Sequence, residues 1–346
     1  MTWQHPSRMT AVVVNYNGGA MNIECIRSLL CAGELEIVLV DNGSTDGSAE
    51  SVESEFGSRA IVIRTGQNLG FARGCNIGAR RASGDYLLFF NNDATANGGM
   101  TANLLEVFRT DPTIGVAGPA VLEAGSRIVQ STGYSVDRWG FPEDATSGLA
   151  YDRLPSAPTR EAFYVSGCAL MVPHALFDEL GGFDEGMFMF AEDVDLCWRA
   201  WLAGKRVVTV RGACCEHIGG ATVATAARAG TYRASAFRVA EREKNTMRMM
   251  LANLGSAGLL HYVLLRVPVL IFEALAALVL GRTWLAGAYS AALCGAVKRL
   301  PDTLRRRRSV QGARRVPDSA ITRLWSRHYA KAGLMKRRGI PARTPD

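Results

Sequence analysis

Short apolar runs alternate with helical segments through the first part of the chain, and polar turn residues follow each run. A buried strand has this character, because it reads as a continuous apolar stretch bounded by turn formers. The segment 23–30 has its isoleucines and leucines at helical spacing, which predicts an amphipathic helix. Strands that alternate with helices are typical of a parallel, doubly wound sheet. The first four predicted strands lie at 11–14, 36–40, 60–63 and 86–93.

Polar residues cluster where these strands end, at 15–17, 41–48 and 91–93. Right-handed crossovers bring the tips of parallel strands to one edge of a sheet, and ligands of open α/β sheets bind beyond that edge. The last tip reads NND, two amides and the carboxylate of Asp93. Such a carboxylate suits Mg²⁺ or Mn²⁺ that also holds substrate phosphates, although Asn and Asp are also common in plain turns. The tips therefore predict a shared ligand crevice.

Two common nucleotide-binding loops are absent from the sequence. A Rossmann dehydrogenase has G-x-G-x-x-G after its first strand, but residues 15–19 read NYNGG. The phosphate-binding loop G-x-x-x-x-G-K-[ST] is absent as well. A glycine-rich segment at 68–78 instead opens a later helix. The pattern therefore fits neither of these two classes.

Weaker strand patterns follow, around a loop rich in Pro, Gly and Asp at 140–160. Gly167 interrupts one of them. A glycine inside a strand marks either the close approach of a ligand or backbone, or a simple bulge. The later strands are predicted at 114–121, 126–134, 163–172 and 207–210.

A helix predicted at 193–203 begins with three carboxylates, Glu192, Asp193 and Asp195. Acidic residues in a first turn complement the helix macrodipole, which would explain them without a catalytic role. Carboxylates beside an apolar segment also suit a general base, which the dipole would help to keep ionised. His217 follows the last predicted strand, where a lone histidine is either structural or a metal ligand.

Charge divides the 346-residue chain into two parts. Residues 1–232 hold 17 Lys and Arg against 26 Asp and Glu, a net charge of −9, whereas residues 233–346 hold 22 against 6, a net charge of +16. We therefore predict a catalytic domain over 1–232 and a basic extension over 233–346. A basic part favours anionic surfaces, and its apolar runs point to membrane rather than nucleic acid, because no aromatic–basic stacking pattern accompanies the arginines.

The extension begins with a helix predicted at 233–253, followed by a mainly apolar region at 259–297. Charged residues and Pro268 interrupt that region, so neither uninterrupted piece reaches the roughly 20 residues of a spanning helix. We predict a re-entrant or interfacial pair of helices, with basic clusters at 305–308 and 336–338 on anionic headgroups. Two short spanning helices, or a hairpin packed on the catalytic domain or in an oligomer, are the alternatives.

The N-terminus and the cysteines indicate a cytosolic protein. Residues 1–10 contain no apolar signal-peptide core, which predicts that the catalytic domain is not exported. The eight cysteines form no C-x-x-C pair, which predicts reduced, buried thiols and no zinc site.

In order along the chain, six pieces of sequence resemble those of the family 2 inverting glycosyltransferases, which have the GT-A fold. The resemblance covers about residues 9–222, and the wording at 70–72 and 190–196 looks most like that of bacterial rhamnosyltransferases. It implies an α/β fold with a Rossmann-like mixed sheet flanked by helices, followed here by the C-terminal helical, membrane-associating extension. The six pieces are VNYN at 14–17, VDNGSTD at 40–46, NLGFA at 68–72, NND at 91–93, EDVD at 192–195 and His217.

The resemblance implies a nucleotide-sugar donor and assigns residues to it. Asn15, Tyr16 and Asp41 would contact the nucleobase and ribose, and the glycine-rich segment 68–76 would flank the ribose and diphosphate. The full predicted donor set is Asn15, Tyr16, Asn17, Asp41, Asn42, Asn68, Gly70, Phe71, Asn76, Asn91 and Asn92.

The resemblance also implies a divalent cation, Mg²⁺ or Mn²⁺, held by Asp93 and His217. Asn91 stands where the family's D-x-D motif has its first Asp, and an amide is the weaker donor, which lowers the expected metal affinity. Asp193 matches the catalytic base, with Glu192 beside it at the acceptor.

The implied reaction is a single displacement with inversion, because one carboxylate on the acceptor side suffices and no covalent intermediate is needed. We expect dTDP-rhamnose as the candidate donor and a lipid-linked or cell-envelope glycan as the acceptor. The enzyme would work at the cytoplasmic face of the cell membrane, as a peripheral or re-entrant protein that binds no nucleic acid; a homo-oligomer is left open.

A nucleotidyltransferase is one alternative, although it would usually show a basic, glycine-rich phosphate loop near the first strand. A non-catalytic nucleotide-sugar-binding subunit is another, although it would be expected to lack Asp93 or Asp193.

Overall fold

The structure is a computed structural model that describes residues 8–219, 233–331, 333 and 341–344. Its contacts divide the chain into two compact units, each made of separate stretches of sequence. The predicted domain boundary at residue 232 lies outside the described residues. The first unit comprises Met1–Tyr134, Asp144–Phe188 and Lys205–Gly219, and the second comprises Ser135–Glu143, Met189–Gly204 and Gly220–Asp346.

The strands are short, and most of them belong to one sheet in the first unit. That sheet has the order β10-β12-β6-β11-β4-β1-β2-β3, with β5 beside β12 and β7 beside β6. Its apolar side chains are almost wholly excluded from solvent. In chain order the strands are β1 (Met9–Asn15), β2 (Glu36–Asp41), β3 (Ala60–Arg64), β4 (Tyr86–Asn91), β5 (Ala94–Ala96), β6 (Ile114–Glu123), β7 (Val129–Ser131), β8 (Ser135–Val136), β9 (Pro142–Glu143), β10 (Thr159–Glu161), β11 (Ala169–Pro173), β12 (Arg206–His217), β13 (Arg233–Ala234) and β14 (Ala342–Arg343).

The sheet is mixed, which confirms the fold that the resemblance implies. Strands β4, β1, β2 and β3 are parallel neighbours, as the alternating pattern predicts. The prediction of a parallel sheet is wrong beyond β4, because β11 runs antiparallel beside β4. Strand β11 follows a long loop and not a crossover helix, so it can take the opposite direction. Strand β12 returns to the parallel direction beside β6.

Three predicted strand ends differ from the structure. Strand β4 ends at Asn91, so Asp93 lies in the turn before β5. Strand β12 continues past residue 210, through an irregularity in its pairing with β6, and ends at His217. Gly167 precedes β11 instead of interrupting a strand.

Helices of the first unit pack on its sheet, and α3 lies close to β1. A Cβ atom on Gly78 would lie 2.3 Å from Val12 Cγ1, and one on Gly74 would lie 3.0 Å from Val14 Cγ1. These glycines therefore let α3 pack directly on β1. The helices are α1 (Met21–Ala32), α2 (Ser48–Phe56), α3 (Phe71–Arg81), α4 (Met100–Thr110), α5 (His174–Glu179), α6 (Glu192–Leu202), α7 (Ala236–Asn253), α8 (Ser256–Val279), α9 (Thr283–Lys298), α10 (Leu300–Ala313) and α11 (Asp318–Ile321).

The second unit is mainly helical and contains α6 to α11, of which α7, α8 and α9 form a small apolar core. Helix α8 runs for 24 residues through Pro268, so the interruption expected within the apolar region does not occur. Among the described residues, α8 is the helix whose length and composition would allow it to cross a membrane, and 22% of its most apolar window is buried. Helix α9 packs back against α7 and α8, which gives the predicted pair of apolar helices.

Candidate active site

The tips of β1 and β2 are tied together by Asn15, whose side chain is fully buried. Its Nδ2 atom donates to Asp41 Oδ1 at 3.2 Å and to Ser48 Oγ at 2.8 Å. Its Oδ1 atom accepts hydrogen bonds from Gly18 N and Asn22 Nδ2. Asn15 therefore shapes the crevice, and its side chain has little capacity left for a ligand.

Tyr16 and Asn17 form the open rim of this edge. Tyr16 is 52% exposed, so one face of its ring is available for stacking. Asn17 adopts a left-handed backbone with a φ of 53° and accepts a hydrogen bond from Thr45 N at 2.8 Å. Asp41, 5% exposed, takes its hydrogen bonds from Asn15 and Ser44 on Oδ1.

Asn42 holds the glycine-rich loop that precedes α3. Its Nδ2 atom donates to Asn68 Oδ1 and to Gly70 O, and its Oδ1 atom accepts from Leu69 N at 3.0 Å. Asn42 is 2% exposed, whereas Asn68 is exposed. Asn42 therefore fixes the loop, and Asn68 supports it as well, because its Oδ1 atom also accepts a hydrogen bond from Gly70 N at 3.0 Å.

The start of α3 is joined to the segment 183–188. Phe71 N donates to Phe188 O at 2.7 Å, and a Cβ atom on Gly70 would lie 2.4 Å from the same oxygen. Gly70 also has a φ of 86°, so it meets both a steric and a conformational requirement. Asn76 Nδ2 donates to Phe183 O at 3.0 Å, which makes Asn76 a structural link.

A histidine–carboxylate pair lies beyond β4. Pairing of β12 with β5 sets His217 opposite Ala94, next to Asp93. His217 Nε2 is 3.1 Å from Asp93 Oδ1 and 3.3 Å from Asn91 Nδ2. Both side chains of the pair are mostly buried, 12% and 14% exposed. The structure therefore brings together the three residues predicted around the metal ion, and Asn92 next to them donates to Asn22.

Gln130 sets the orientation of this histidine, a role that the sequence did not reveal. Its Oε1 atom lies 2.7 Å from His217 Nδ1. Strand β7 carries Gln130 to this place by pairing with β6. In the tautomer whose Nδ1 donates to Gln130, the lone pair of the neutral ring is on Nε2 and can bind a metal ion.

These atoms fit a divalent cation. His217 Nε2 and Asp93 Oδ1 face each other at 3.1 Å, a distance at which the two atoms share either a proton or a metal ion. Two neighbouring ligands of an octahedral ion with bonds of about 2.1 Å are about 3.0 Å apart. Within the described residues no group of three or more His, Cys, Asp and Glu surrounds a common point, so the protein ligands suggested here are the two side chains of the pair.

Buried thiols lie near the pair. Burial, together with the charge of Asp93, raises the pKa of the Cys25 thiol, and burial raises that of Cys168. Thiols kept protonated are poor metal ligands, so the site offers oxygen and nitrogen donors to a hard cation. The prediction that the cysteines are buried is correct for five of them and wrong for Cys31 and Cys294, which are exposed; the five are Cys25, Cys75, Cys168, Cys197 and Cys215.

The predicted base lies in the second unit, at the start of α6. Phe190 and Ala191 precede it with φ values of 72° and 69°, a left-handed pair that costs about 1–3 kcal/mol per residue. Asn245 on α7, fully buried, donates to Met189 O at 2.8 Å and Phe190 O at 3.1 Å. These two hydrogen bonds hold the strained turn that presents α6.

The three carboxylates of α6 have different surroundings. Asp195 is fully buried, 2.8 Å from Arg199 Nε, and accepts from Asn253 Nδ2 at 2.8 Å. Burial, with the nearby charges of Asp193 and Asp195, raises the pKa of Glu192 to about 8. Asp193 is the partly exposed member, and its Oδ1 atom accepts from Val194 N at 2.8 Å. Of the three, Asp193 is therefore the most exposed carboxylate.

The pKa of Glu192 has a measurable effect on stability. The unfolded chain releases the Glu192 proton near its ordinary pKa of 4.5, whereas the folded chain keeps it to about 8. The free energy of unfolding should therefore fall between these pH values, by a few kcal/mol. We expect Glu192→Gln to remove this decline in thermal melts recorded from pH 5 to pH 8. The exposed Glu34→Gln should retain it, and an unchanged slope in Glu192→Gln would show that Glu192 ionises normally.

Known proteins resemble this chain in sequence and in fold. A family model for "Glycosyl transferase family 2" matches residues 10–180. The N-acetylglucosaminyl-diphospho-decaprenol L-rhamnosyltransferase of Mycobacterium tuberculosis is 28% identical over an alignment of 229 residues, and the match covers 59% of this chain and 74% of that protein. This match favours a glycosyltransferase over the nucleotidyltransferase and the non-catalytic subunit.

Two solved structures support the fold. GalNAc-T7 with UDP, GalNAc and Mn²⁺ has a TM-score of 0.57 at 17% identity, over 72% of this chain and 48% of that one. The mannosyltransferase PcManGT from Pyrobaculum calidifontis, in complex with GDP-Man and Mn²⁺, has a TM-score of 0.51 at 18% identity, over 94% of this chain and 89% of that one.

Proposed function

Because the chain belongs to glycosyltransferase family 2, we propose that it transfers a sugar, with inversion, from a nucleotide-diphosphate donor to a lipid-linked or cell-envelope glycan. The proposed donor is dTDP-rhamnose. It is supported by a relative that matches 59% of the chain, whose name describes an L-rhamnosyltransferase acting on a polyprenol-linked N-acetylglucosamine. The observation that carries the proposal is the Asp93–His217 pair beside the polar tips of β1 and β2.

The donor would lie along those tips. Tyr16 offers an exposed ring face to a nucleobase. Asp41 takes its protein hydrogen bonds on Oδ1, which leaves Oδ2 for a ribose hydroxyl. Asn15 and Asn42 keep the two loops in place, so the crevice is formed before the donor arrives.

The diphosphate would be held at Asp93 and His217. A divalent cation there, with Mg²⁺ and Mn²⁺ as the candidates, would stabilise the negative charge that the departing diphosphate gains. Gln130 keeps His217 Nε2 directed at this place.

The acceptor proton would pass to Asp193. Glu192 keeps its own proton below about pH 8, and Asp195 is engaged with Arg199. One accessible carboxylate on the acceptor side gives a single displacement, in which the acceptor oxygen attacks the anomeric carbon as the diphosphate leaves from the opposite face. We propose that this takes place at the cytoplasmic face of the membrane that carries the acceptor.

The test is transfer by the full chain with Mn²⁺, a polyprenyl-diphosphate N-acetylglucosamine and a panel of donors. We expect mass spectrometry to show a rhamnosylated product from dTDP-rhamnose and little product from UDP-N-acetylglucosamine or GDP-mannose. Transfer from another donor alone would contradict rhamnose as the sugar. Neither transfer nor donor hydrolysis with any donor would contradict the proposed function.

A further inference from the structure

Helix α8 has its charges inside and its apolar residues outside. Arg266 has a side chain that is 1% exposed, and that of Glu273 is 15% exposed. The opposite face repeats large exposed hydrophobic residues three, four or seven positions apart, so they share one side of the helix. Their exposures are Leu260 63%, Leu264 63%, Ile271 47%, Leu275 55% and Leu278 51%.

The buried charges are neutralised within the second unit. Arg266 pairs with Glu243 of α7 and, at 3.3 Å, with Glu273. Lys331 Nζ lies 2.7 Å from Glu243 and 2.9 Å from Glu273. Two acidic and two basic side chains therefore balance one another in charge, and Tyr329 adds a hydrogen bond to Glu273 at 2.7 Å. A surface that contacts the outer face of α8 therefore need not neutralise the charges of this helix.

The same cluster argues against α8 as a spanning helix. Arg266 lies near the middle of α8, so its partner Glu243 brings α7 alongside that middle. Helix α7 is polar, with Arg238, Arg242 and Lys244 within a few residues of Glu243. If α8 crossed a bilayer, these charges and Lys331 would have to enter the hydrocarbon with it, at a high cost.

We propose that the outward apolar face of α8 lies in the surface layer of an acidic phospholipid bilayer, with the helix parallel to the membrane. This inference rests on the membrane location in the proposed function, and it specifies the contact. The exposed apolar run ends at Val279 and Leu280, 87% and 57% exposed, immediately before the exposed Arg282. An amphipathic segment buries its apolar side in the acyl boundary and keeps its polar side out of it.

Charge favours lipid over a second protein as the occupant. Residues 233–346 carry a net charge of +16, which would repel a second copy of the same surface but attract anionic headgroups. Exposed basic side chains follow the apolar hairpin in sequence, at Lys298, Arg299, Arg305 and Arg308.

Flotation of the full chain with vesicles tests the contact without donor or acceptor, so its outcome is independent of activity. We expect binding to vesicles of phosphatidylcholine with phosphatidylglycerol, and weaker binding to phosphatidylcholine alone. Leu264→Glu/Leu275→Glu should lower the partition coefficient at least about ten-fold, because two apolar side chains of the contact are replaced by charges. Leu149→Glu, at a 42% exposed leucine of the first unit, should not change it. Thermal melts would confirm that the double variant remains folded.

Orientation is tested with single cysteines at Ser256 and Gly281, the two ends of α8, in a Cys31→Ser/Cys294→Ser background. In sealed vesicles, an impermeant maleimide added outside should label both ends equally. Labelling of one end only would mean that α8 spans, and would overturn the proposal. Unchanged flotation of the double variant would also overturn the proposal. If that variant floated normally but changed from a dimer to a monomer, the face would be a subunit interface.

Discussion

Asp193→Asn is expected to lower the turnover number for sugar transfer by at least about 100-fold, with little change in donor affinity. A positioned general base contributes roughly 10²- to 10⁴-fold to a rate, and the amide cannot accept the acceptor's proton. Asn keeps the size of the side chain and an oxygen for the hydrogen bond from Val194 N. The start of α6 should therefore remain in place.

The measurement is turnover at saturating donor together with the dissociation constant of the nucleoside diphosphate. Asp178→Asn is the matched control, because Asp178 has a side chain that is 72% exposed in the first unit. It should leave both quantities unchanged. Turnover of Asp193→Asn close to that of the unaltered protein would remove Asp193 from the mechanism.

Asp93→Ala is expected to abolish tight binding of Mn²⁺ in the presence of nucleoside diphosphate and to lower transfer by about 10²- to 10³-fold. The reason is that Asp93 supplies the only carboxylate facing His217 Nε2 in the described part of the chain. Electron paramagnetic resonance of free Mn²⁺ measures the binding without reference to activity. Chelation with EDTA should reduce transfer by the unaltered protein to a similar extent.

Two variants of Gln130 provide a matched comparison for the Mn²⁺-binding measurement. Gln130→Leu removes the acceptor opposite His217 Nδ1 and should weaken Mn²⁺ binding about 10- to 100-fold, the usual effect of losing a partner of a metal-bound histidine. Gln130→Glu keeps an acceptor oxygen there and should bind Mn²⁺ at least as well as Gln130. Equal binding by both variants would mean that His217 needs no support from β7. Normal Mn²⁺ binding by Asp93→Ala would place the metal ion elsewhere.

The parallel part of the fold could be predicted from sequence because its signals are local. Strands β1 to β4 are continuous apolar runs, and each polar tip follows directly in the chain. The antiparallel return of β11 could not be predicted, since its direction depends on a pairing with β4 that no neighbouring residue records. The end of β12 at His217 was missed for a related reason, because its pairing with β6 resumes only after an irregularity that follows Val210.

The site divides in the same way. The motif pieces identified Asp93 and His217, whose proximity the structure shows. They did not separate residues that face the crevice from residues that build it, and both Asn15 and Asn42 are satisfied within the protein. Gln130 has no motif around it and becomes visible only when β7 pairs with β6. The hydrogen bonds from Asn245 to Phe190 O and Met189 O join residues that are 55 and 56 positions apart, so no local sequence pattern predicts them.

These two hydrogen bonds from Asn245 have a consequence for the nascent chain. Synthesis delivers the polypeptide from its N-terminus, and compact regions form as they leave the ribosome. The turn at Phe190 and Ala191 has to wait for Asn245, so the start of α6 is fixed only after α7 has emerged. The apolar helix α8 comes next in the chain. The order of synthesis therefore completes this turn after the strands of the first unit's sheet have emerged and just before α8 does.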